Sequence, residues 1–159
     1  MPNRVDDLVI RSAERRDIPA IVEMLADDVY GAERERVENP TAGVYIEAFH
    51  AISADPNNEL VVACRNDTVV GVFQLTFVPG MSYQGGWRAM IEGVRVAAPY
   101  RSQGIGARMM SWAVRRAEER GCVLVELTSN AGRPDAHRFY ERLGFVRSHV
   151  GMKRALRQP

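Results

Sequence analysis

The stretch Tyr100-Arg101-Ser102-Gln103-Gly104-Ile105-Gly106-Ala107-Arg108 sets two glycines two residues apart at the expected start of a helix, with an arginine three residues before the first. Such an arrangement can bind phosphate. The first N–H groups of a helix have no partner within it and sit at the positive end of its dipole. Glycines there let an anion approach the backbone closely. The common phosphate loops do not fit, however. A dinucleotide fingerprint needs a third glycine where Met109 stands, and a Walker-type loop needs Gly-Lys-Ser/Thr where Gly106-Ala107-Arg108 stands. Taken alone, the two glycines serve equally well as a tight turn between a strand and a helix.

Positioning that loop requires a strand before it and a helix after it, and the pattern supplies both. Residues 87–96 (WRAMIEGVRV) read as a strand, and residues 104–120 as a helix with Ile105, Met109, Trp112, Ala113 and Ala117 on one face, ended by Gly121. Residues 122–127 (CVLVEL) read as a central strand. Strand, loop, helix and strand over residues 87–127 then form a crossover whose outer strands are parallel. Upstream, residues 7–13 read as a strand. Asp17 reads as the cap of a helix with Pro19 in its first turn and a stripe of Ile18, Ile21, Val22, Leu25 and Val29. A weaker helix spans residues 43–52, with the charged run 33–38 extending it upstream. Residues 59–65 and 68–78, joined by Asn66-Asp67, read as a hairpin. Downstream, residues 134–143 read as a helix with Ala136, Phe139, Tyr140 and Leu143 inward, closed by Gly144, and residues 145–152 as a last strand. The order predicts a mixed sheet with helices packed on it.

Composition narrows the function classes. A length of 159 residues fits one domain, 1–159. Lysine plus arginine number 21 against 20 aspartates and glutamates, a net charge of +1, which gives no global electrostatic case for nucleic acid or a membrane surface. No apolar run approaches the roughly 20 residues that span a bilayer. The start of the chain resembles neither a secretory nor a transit peptide, so a cytoplasmic protein is expected. Cys64 and Cys122 lie in apolar runs far from any metal-ligand spacing; free buried thiols and no metal are expected.

The segment "IEGVRVAAPYRSQGIGARMMSWAVRRA" resembles the acetyl-CoA signature of the GCN5-related N-acetyltransferases (GNAT), in which a V-x-V strand runs into R-x-x-G-x-G/A and a helix; Arg101, Gly104 and Gly106 match. A second block, "ELTSNAGRPDAHRFYERLGF", is similar to the family's later motif. Within the family the chain looks closest to aminoalkylphosphonate N-acetyltransferases and neighbouring small-amine enzymes. The resemblance implies an α/β (α+β) fold: a mixed, mostly antiparallel twisted sheet of six to seven strands, flanked by about four helices, with splayed central parallel strands. It implies acetyl-CoA as cosubstrate. The backbone amides of Gln103, Gly104, Ile105, Gly106 and Ala107, with Arg101, would cradle its pyrophosphate. Val94 and Val96 would pair with the pantetheine as an added strand does, Asn130 would bond the CoA arm, and Tyr140 would face the thioester sulfur.

Acetyl transfer to an amine needs a neutral amine, a polarised carbonyl and a protonated leaving thiolate. A primary amine has a pKa near 10.4, so about one molecule in a thousand is neutral at neutral pH. Glu92 is the candidate base, and Gly93 beside it invites a bulge that re-aims it; its alternative is a solvated strand residue. The Val94 N–H can donate to the thioester carbonyl. Tyr140 is the candidate acid, against a packed tyrosine, and Asn130 alone is a turn residue. His137 reads as a surface partner of Glu141; His50 and His149 are isolated. The expected acceptor is a small molecule with a primary amine, bound between residues 17–52 and the loop 79–86, where Tyr83 and Trp87 line a pocket. A protein or peptide acetyltransferase and a non-catalytic acyl-CoA-binding regulatory domain are the rivals. The last strand, an edge, suits a homodimer.

Overall fold

The computed structural model describes residues 7–157. Strand β1 (Leu8–Ser12) pairs antiparallel with β2 (Asn58–Arg65), β2 with β3 (Thr68–Val78), and β3 with β4 (Arg88–Val96). Strand β5 (Leu124–Leu127) joins β4 in parallel, completing a five-stranded sheet in the order β1-β2-β3-β4-β5. The β2–β3 hairpin turns on Asn66 and Asp67 alone, with φ of 48° and 63°. Two left-handed residues in a two-residue loop match the twist of the strands, which is why Asn-Asp is placed there.

Helices cover both faces. On one, α5 (Ile105–Glu119) buries Ile105, Met109, Met110, Ala113 and Ala117 against Phe73, Leu75, Phe77, Ala89 and Ile91. On the other, α1 (Ile18–Ala26) sets Ile21 and Met24 on Val62, Cys64 and Val72. Alternation along β3 explains the split: Phe73, Leu75 and Phe77 face α5, while Val72 faces α1. Helix α6 (Pro134–Arg142) adds Phe139 and Tyr140 to the α5 side. Among the described residues no helix is long and apolar enough to cross a membrane.

The expected elements differ from the observed ones in four places. The α1 stripe stops at Ala26; Val29 begins a separate six-residue helix, α2 (Val29–Arg34), and is exposed. The charged run does not extend α3 (Gly43–Ala54), because an extended segment with a cis Asn39–Pro40 bond separates them. Asp17 stands at the N-cap position of α1 as expected, but its side chain makes no capping bond to the helix. Its carboxylate accepts from Arg11 Nη1 and Nη2 (2.7 and 3.1 Å) and from the Glu14 N–H (2.7 Å), tying β1 to the turn after it. Burial alone would raise the pKa of Asp17, but these donors hold it below the usual carboxylate range.

The fourth difference is the largest. Residues 145–152 do not form a strand, so the sheet has five strands rather than six or seven. Among the described residues the helices number six rather than four, the additions being α2 and the one-turn α4 (Ser82–Gly85), whose Tyr83 and Gln84 are left-handed. The reason for the missing strand lies in its surroundings: the outer edge of β5 meets no segment in register among the described residues. The alternating residues Val146, Val150, Met152 and Leu156 consequently stand 82%, 88%, 93% and 90% exposed.

Candidate active site

The site begins with a break in β4. Gln74 pairs with Glu92 and Val72 with Arg95, so one residue on β3, Phe73, opposes two on β4, Gly93 and Val94. The extra residue is accommodated at Gly93, whose φ is +62°, a conformation that costs a side-chain-bearing residue roughly 1–2 kcal/mol. The bulge has a geometric consequence. Val72 and Gln74 lie on one face, so their partners Arg95 and Glu92 share that face although they are three apart. Val94 and Val96 turn instead to the α5 side and pack on its core. Beyond the bulge β4 also loses its neighbour. It pairs with β5 only from Arg88 to Ile91, leaving Glu92–Val96 without a strand on that side among the described residues.

At the end of β4 comes the glycine loop. Gly104 caps α5 at φ +78°, and nothing lies within 4 Å of where its Cβ would stand. Gly106 differs. A Cβ there would come 3.2 Å from the Phe139 ring, so this glycine is explained by the packing of α6 on α5. The first α5 backbone bond is Arg108 N–H to Gly104 O (3.2 Å), so the amides of Ile105, Gly106 and Ala107 precede the helical ladder. The first turn contains no acid. Open space, unspent amides and an uncompensated positive helix end fit a pyrophosphate.

Arg101 does not point freely outward. Its Nε donates to Val96 O (3.0 Å) and its Nη2 reaches Asp27 Oδ2 (3.3 Å), an exposed pair. Gln103 is pinned too, its Oε1 accepting from Arg65 Nη1 (2.9 Å) and its Nε2 donating to Pro99 O (3.2 Å). A cleft of about 410 Å³, lined by Met24, Asp27, Val37, Val69 and Ala97–Pro99, opens beside this loop but does not reach Glu92 or Tyr140.

Tyr140 packs edge-on between Phe139 and Phe145, at 5.1 and 5.9 Å between ring centres. Burial raises its pKa, with Arg133 and then Arg95 pulling it back, so the phenol is a neutral donor. Its hydroxyl has no hydrogen-bond partner among the described residues, which leaves it available. Glu92 is exposed on β4. Asn130 spends its Oδ1 on the Gly132 N–H (2.8 Å) and its carbonyl on the Arg133 N–H (3.0 Å), shaping the turn into α6. His137 does not pair with Glu141. Its Nε2 lies 2.8 Å from Asn130 O, while Glu141 accepts from Arg147.

The pocket expected at Tyr83 and Trp87 is not beside these residues. Trp87 O accepts from the Val123 N–H, which fixes that loop at the opposite end of β4, six residues or about 20 Å from Gly93. Arg133 and Arg95 stand within electrostatic range of Tyr140 instead. Arg95 Nη2 lies 3.1 Å from Asp28 Oδ2, with the two side chains 15% and 18% exposed. Asp28 caps α2, its Oδ1 accepting from the Gly31 N–H (2.5 Å). Arg133 and Arg34 lie within electrostatic range of Arg95. Sequence reading missed Asp28, Arg95 and Arg133. The signal for Arg95 was present, because a bulge at Gly93 reverses the facing of every later β4 residue. Among the described residues, no three His, Cys, Asp or Glu side chains gather as a metal site.

Comparison with known proteins adds an independent finding. A family model described as acetyltransferase (GNAT) family matches residues 19–145. The chain is 32% identical over 155 residues to an aminoalkylphosphonate N-acetyltransferase of Salmonella typhimurium, covering 93% of this chain and all of the relative. Among solved structures it resembles one from Bacillus halodurans described as a transcriptional regulator, with 52% identity and a TM-score of 0.92 over 94% of this chain and 99% of the other. A Trypanosoma brucei acetyltransferase matches with 25% identity and a TM-score of 0.77, over 94% of this chain and all of that one.

Proposed function

This chain belongs to the GNAT family of acetyltransferases, and from that premise we propose that it moves an acetyl group from acetyl-CoA to the primary amine of a small molecule by direct attack. The observation that carries the reading is the opening in the sheet. After Ile91 β4 runs on without β5, directly into a helix start with unspent amides. An extended amide-bearing ligand fits such an edge as an added strand would. Val94 O and Val96 O are held here by Arg95 Nη1 and Arg101 Nε, the side-chain donors that a strand-like ligand would replace.

Acetyl-CoA, when bound, supplies the acetyl thioester. Glu92 takes a proton from the acceptor ammonium, directly or through one water, and the freed nitrogen attacks the carbonyl carbon. The Val94 N–H is the proposed donor to the carbonyl oxygen. As the carbon–sulfur bond breaks, the Tyr140 hydroxyl gives its proton to the departing sulfur; the attacking nitrogen releases its second proton to solvent, and solvent reprotonates Tyr140. The half-buried, neutral phenol supports that role. The amides of Gln103–Ala107 and Arg101 hold the pyrophosphate, and Asn130 the arm of CoA. The Salmonella relative, named for an aminoalkylphosphonate, supports a small acceptor.

The test follows CoA thiol release from acetyl-CoA with a panel of aminophosphonates, polyamines, amino acids, aminoglycosides and peptides. Turnover on a small amine is expected. Turnover on peptides alone overturns the acceptor class. Acetyl-CoA binding with no turnover on any amine overturns catalysis in favour of a regulatory domain, a reading in line with the description of the Bacillus halodurans structure.

A homodimer is part of the same proposal. Val146, Val150, Met152 and Leu156 all fall on even positions, one face of a strand, and all are exposed. The outer edge of β5 is open to such a strand. A second copy supplies it. Light scattering is expected to give a dimer for the wild type and a monomer for Val150→Asp; a wild-type monomer at micromolar concentration rejects the pairing.

A further inference from the structure

Arg65 is the last residue of β2, paired with Leu8 and Thr68 in the sheet and followed at once by the Asn66-Asp67 turn. Its side chain leaves that hairpin for the glycine loop. Nη1 donates to Gln103 Oε1 (2.9 Å), and Cζ lies over the Tyr100 ring, 5.8 Å from its centre. Gln103 in turn donates from Nε2 to Pro99 O (3.2 Å). One guanidinium thus ties the segment 99–103 to the sheet at two points, the ring of Tyr100 and the side-chain amide of Gln103. Arg65, Tyr100 and Gln103 are half-buried, whereas Arg101, Ser102 and Gly104 around them are exposed.

Two features set this contact apart from an ordinary surface hydrogen bond. Arg65 forms no ion pair among the described residues, and its Nε is shielded from solvent without a hydrogen bond there. A half-buried cation answered by a neutral amide and a ring contributes little to the fold. The second feature is what the contact holds. Ser102 has φ +61° and Gly104 φ +78°, and Ser102 carries a side chain that the left-handed region disfavours. Gln103 lies between them, and its N–H is the first of the amides assigned to the pyrophosphate. A strained turn of this kind keeps one orientation when the surrounding structure imposes it. The Gln103 side chain, held at both ends, is what connects this turn to the sheet.

We infer that Arg65 is a positioning residue for the donor. Acting through Gln103, it fixes the turn at residues 102–104 so that the amides of Gln103–Ala107 converge on one anion. Arg65 itself does not touch the cosubstrate. An arginine suits the task because its planar fork can donate in the plane while its face rests on a ring, which a lysine ammonium cannot do. This rests on the proposed pyrophosphate cradle, but it is testable by binding, without turnover.

Calorimetry compares CoA with pantetheine, which shares the thiol arm but has no pyrophosphate. Arg65→Met and Gln103→Ala should each weaken CoA binding by about 10-fold. The double variant should lose no more than about threefold beyond either single, because both break one chain of contacts. Pantetheine affinity should stay within about twofold of wild type in all three. Arg65→Lys, which keeps the charge and loses the fork, should resemble Arg65→Met. Gln103→Ala breaks the same contact from the loop side, so the test does not hang on the folding of one variant. Equal weakening of CoA and pantetheine marks a structural role and overturns the inference. So do additive losses in the double variant, which separate Arg65 from Gln103, and full CoA affinity in Arg65→Lys, which leaves charge alone. A wild type that binds no CoA overturns the cradle and its brace together. Failure of the acetyltransferase reading shows differently, as CoA binding that depends on Arg65 with no thiol release from acetyl-CoA on any amine.

Discussion

The mouth of α5 and the cluster around Arg95 both gather positive charge, yet they are built in opposite ways. At the α5 mouth the charge is local and wet: backbone amides of consecutive residues, with Arg101 and Asp27 paired at 50% and 55% exposure. Around Arg95 it is assembled from residues 28, 95, 133 and 140, and the central pair is 15% and 18% exposed. The first can be filled and emptied at little cost to the fold, because exposed pairs contribute little. In the second, removing Asp28 or Arg95 leaves the other's charge partly desolvated and unanswered. The α5 mouth is thus a replaceable surface loop, whereas the Arg95–Asp28 pair is part of the packing that joins α2 and β4.

If that contrast holds, substitutions divide by which substrate they affect. Glu92→Gln is expected to lower kcat by about 10²- to 10⁴-fold while leaving the Kd for acetyl-CoA within about threefold, read by thiol release and by calorimetry. A parallel loss of acetyl-CoA affinity would place Glu92 on the donor side and break the division. Tyr140→Phe should cost about 10- to 100-fold in kcat, again with acetyl-CoA binding kept. Its pKa is raised, so the neutral phenol stabilises the fold fully below about pH 10, and that contribution is lost as pH rises through the folded value. Alkaline unfolding of Tyr140→Phe should therefore lack that loss.

Asp28→Asn tests the buried half by stability. It should cost about 2 kcal/mol at neutral pH in denaturant titration, by leaving Arg95 unanswered. Burial raises the pKa of Asp28, but the Gly31 N–H, Arg95 and Arg133 together lower it. Its contribution is then present above about pH 4 and is lost as pH falls through the depressed folded value. The variant should flatten that acid limb, and an unchanged limb would show that the pair is not buried in effect. The smallest effect belongs to Arg101→Ala. Stability should change by less than about 1 kcal/mol, and acetyl-CoA Kd should weaken by about 10-fold. A change in amine KM instead would erase the distinction between the two regions.

The two regions also differ in how far they could be read in advance. The hairpin at Asn66-Asp67, the crossover from β4 to β5 and the bulge at Gly93 all follow from local preferences, and each is present. The last strand was equally plain in its alternation and still does not form, because a strand needs an edge in register as well as a pattern. Asn130 was read both as a CoA ligand and as a turn residue; the structure displays the turn. Loop 79–86 is expected beside the acceptor, with Tyr83 and Trp87 lining a pocket, but β4 carries it to the far end of the sheet.

Sequence by itself determined the hydrophobic faces, the helix start at Gly104 and the candidate pair Glu92 and Tyr140, since periodicity and special φ values depend on neighbours a few residues away. It also determined the signature by which the family is known. Only the tertiary structure decided that Arg95 shares a face with Glu92, that Asp28 answers it and that Arg133 lies within electrostatic range of both Arg95 and Asp28. A bulge fixes the first, while the others depend on where α2 and α6 pack. Charges 40 to 100 residues apart along the chain become neighbours only through that packing, and the energy of placing them together depends on the water it removes.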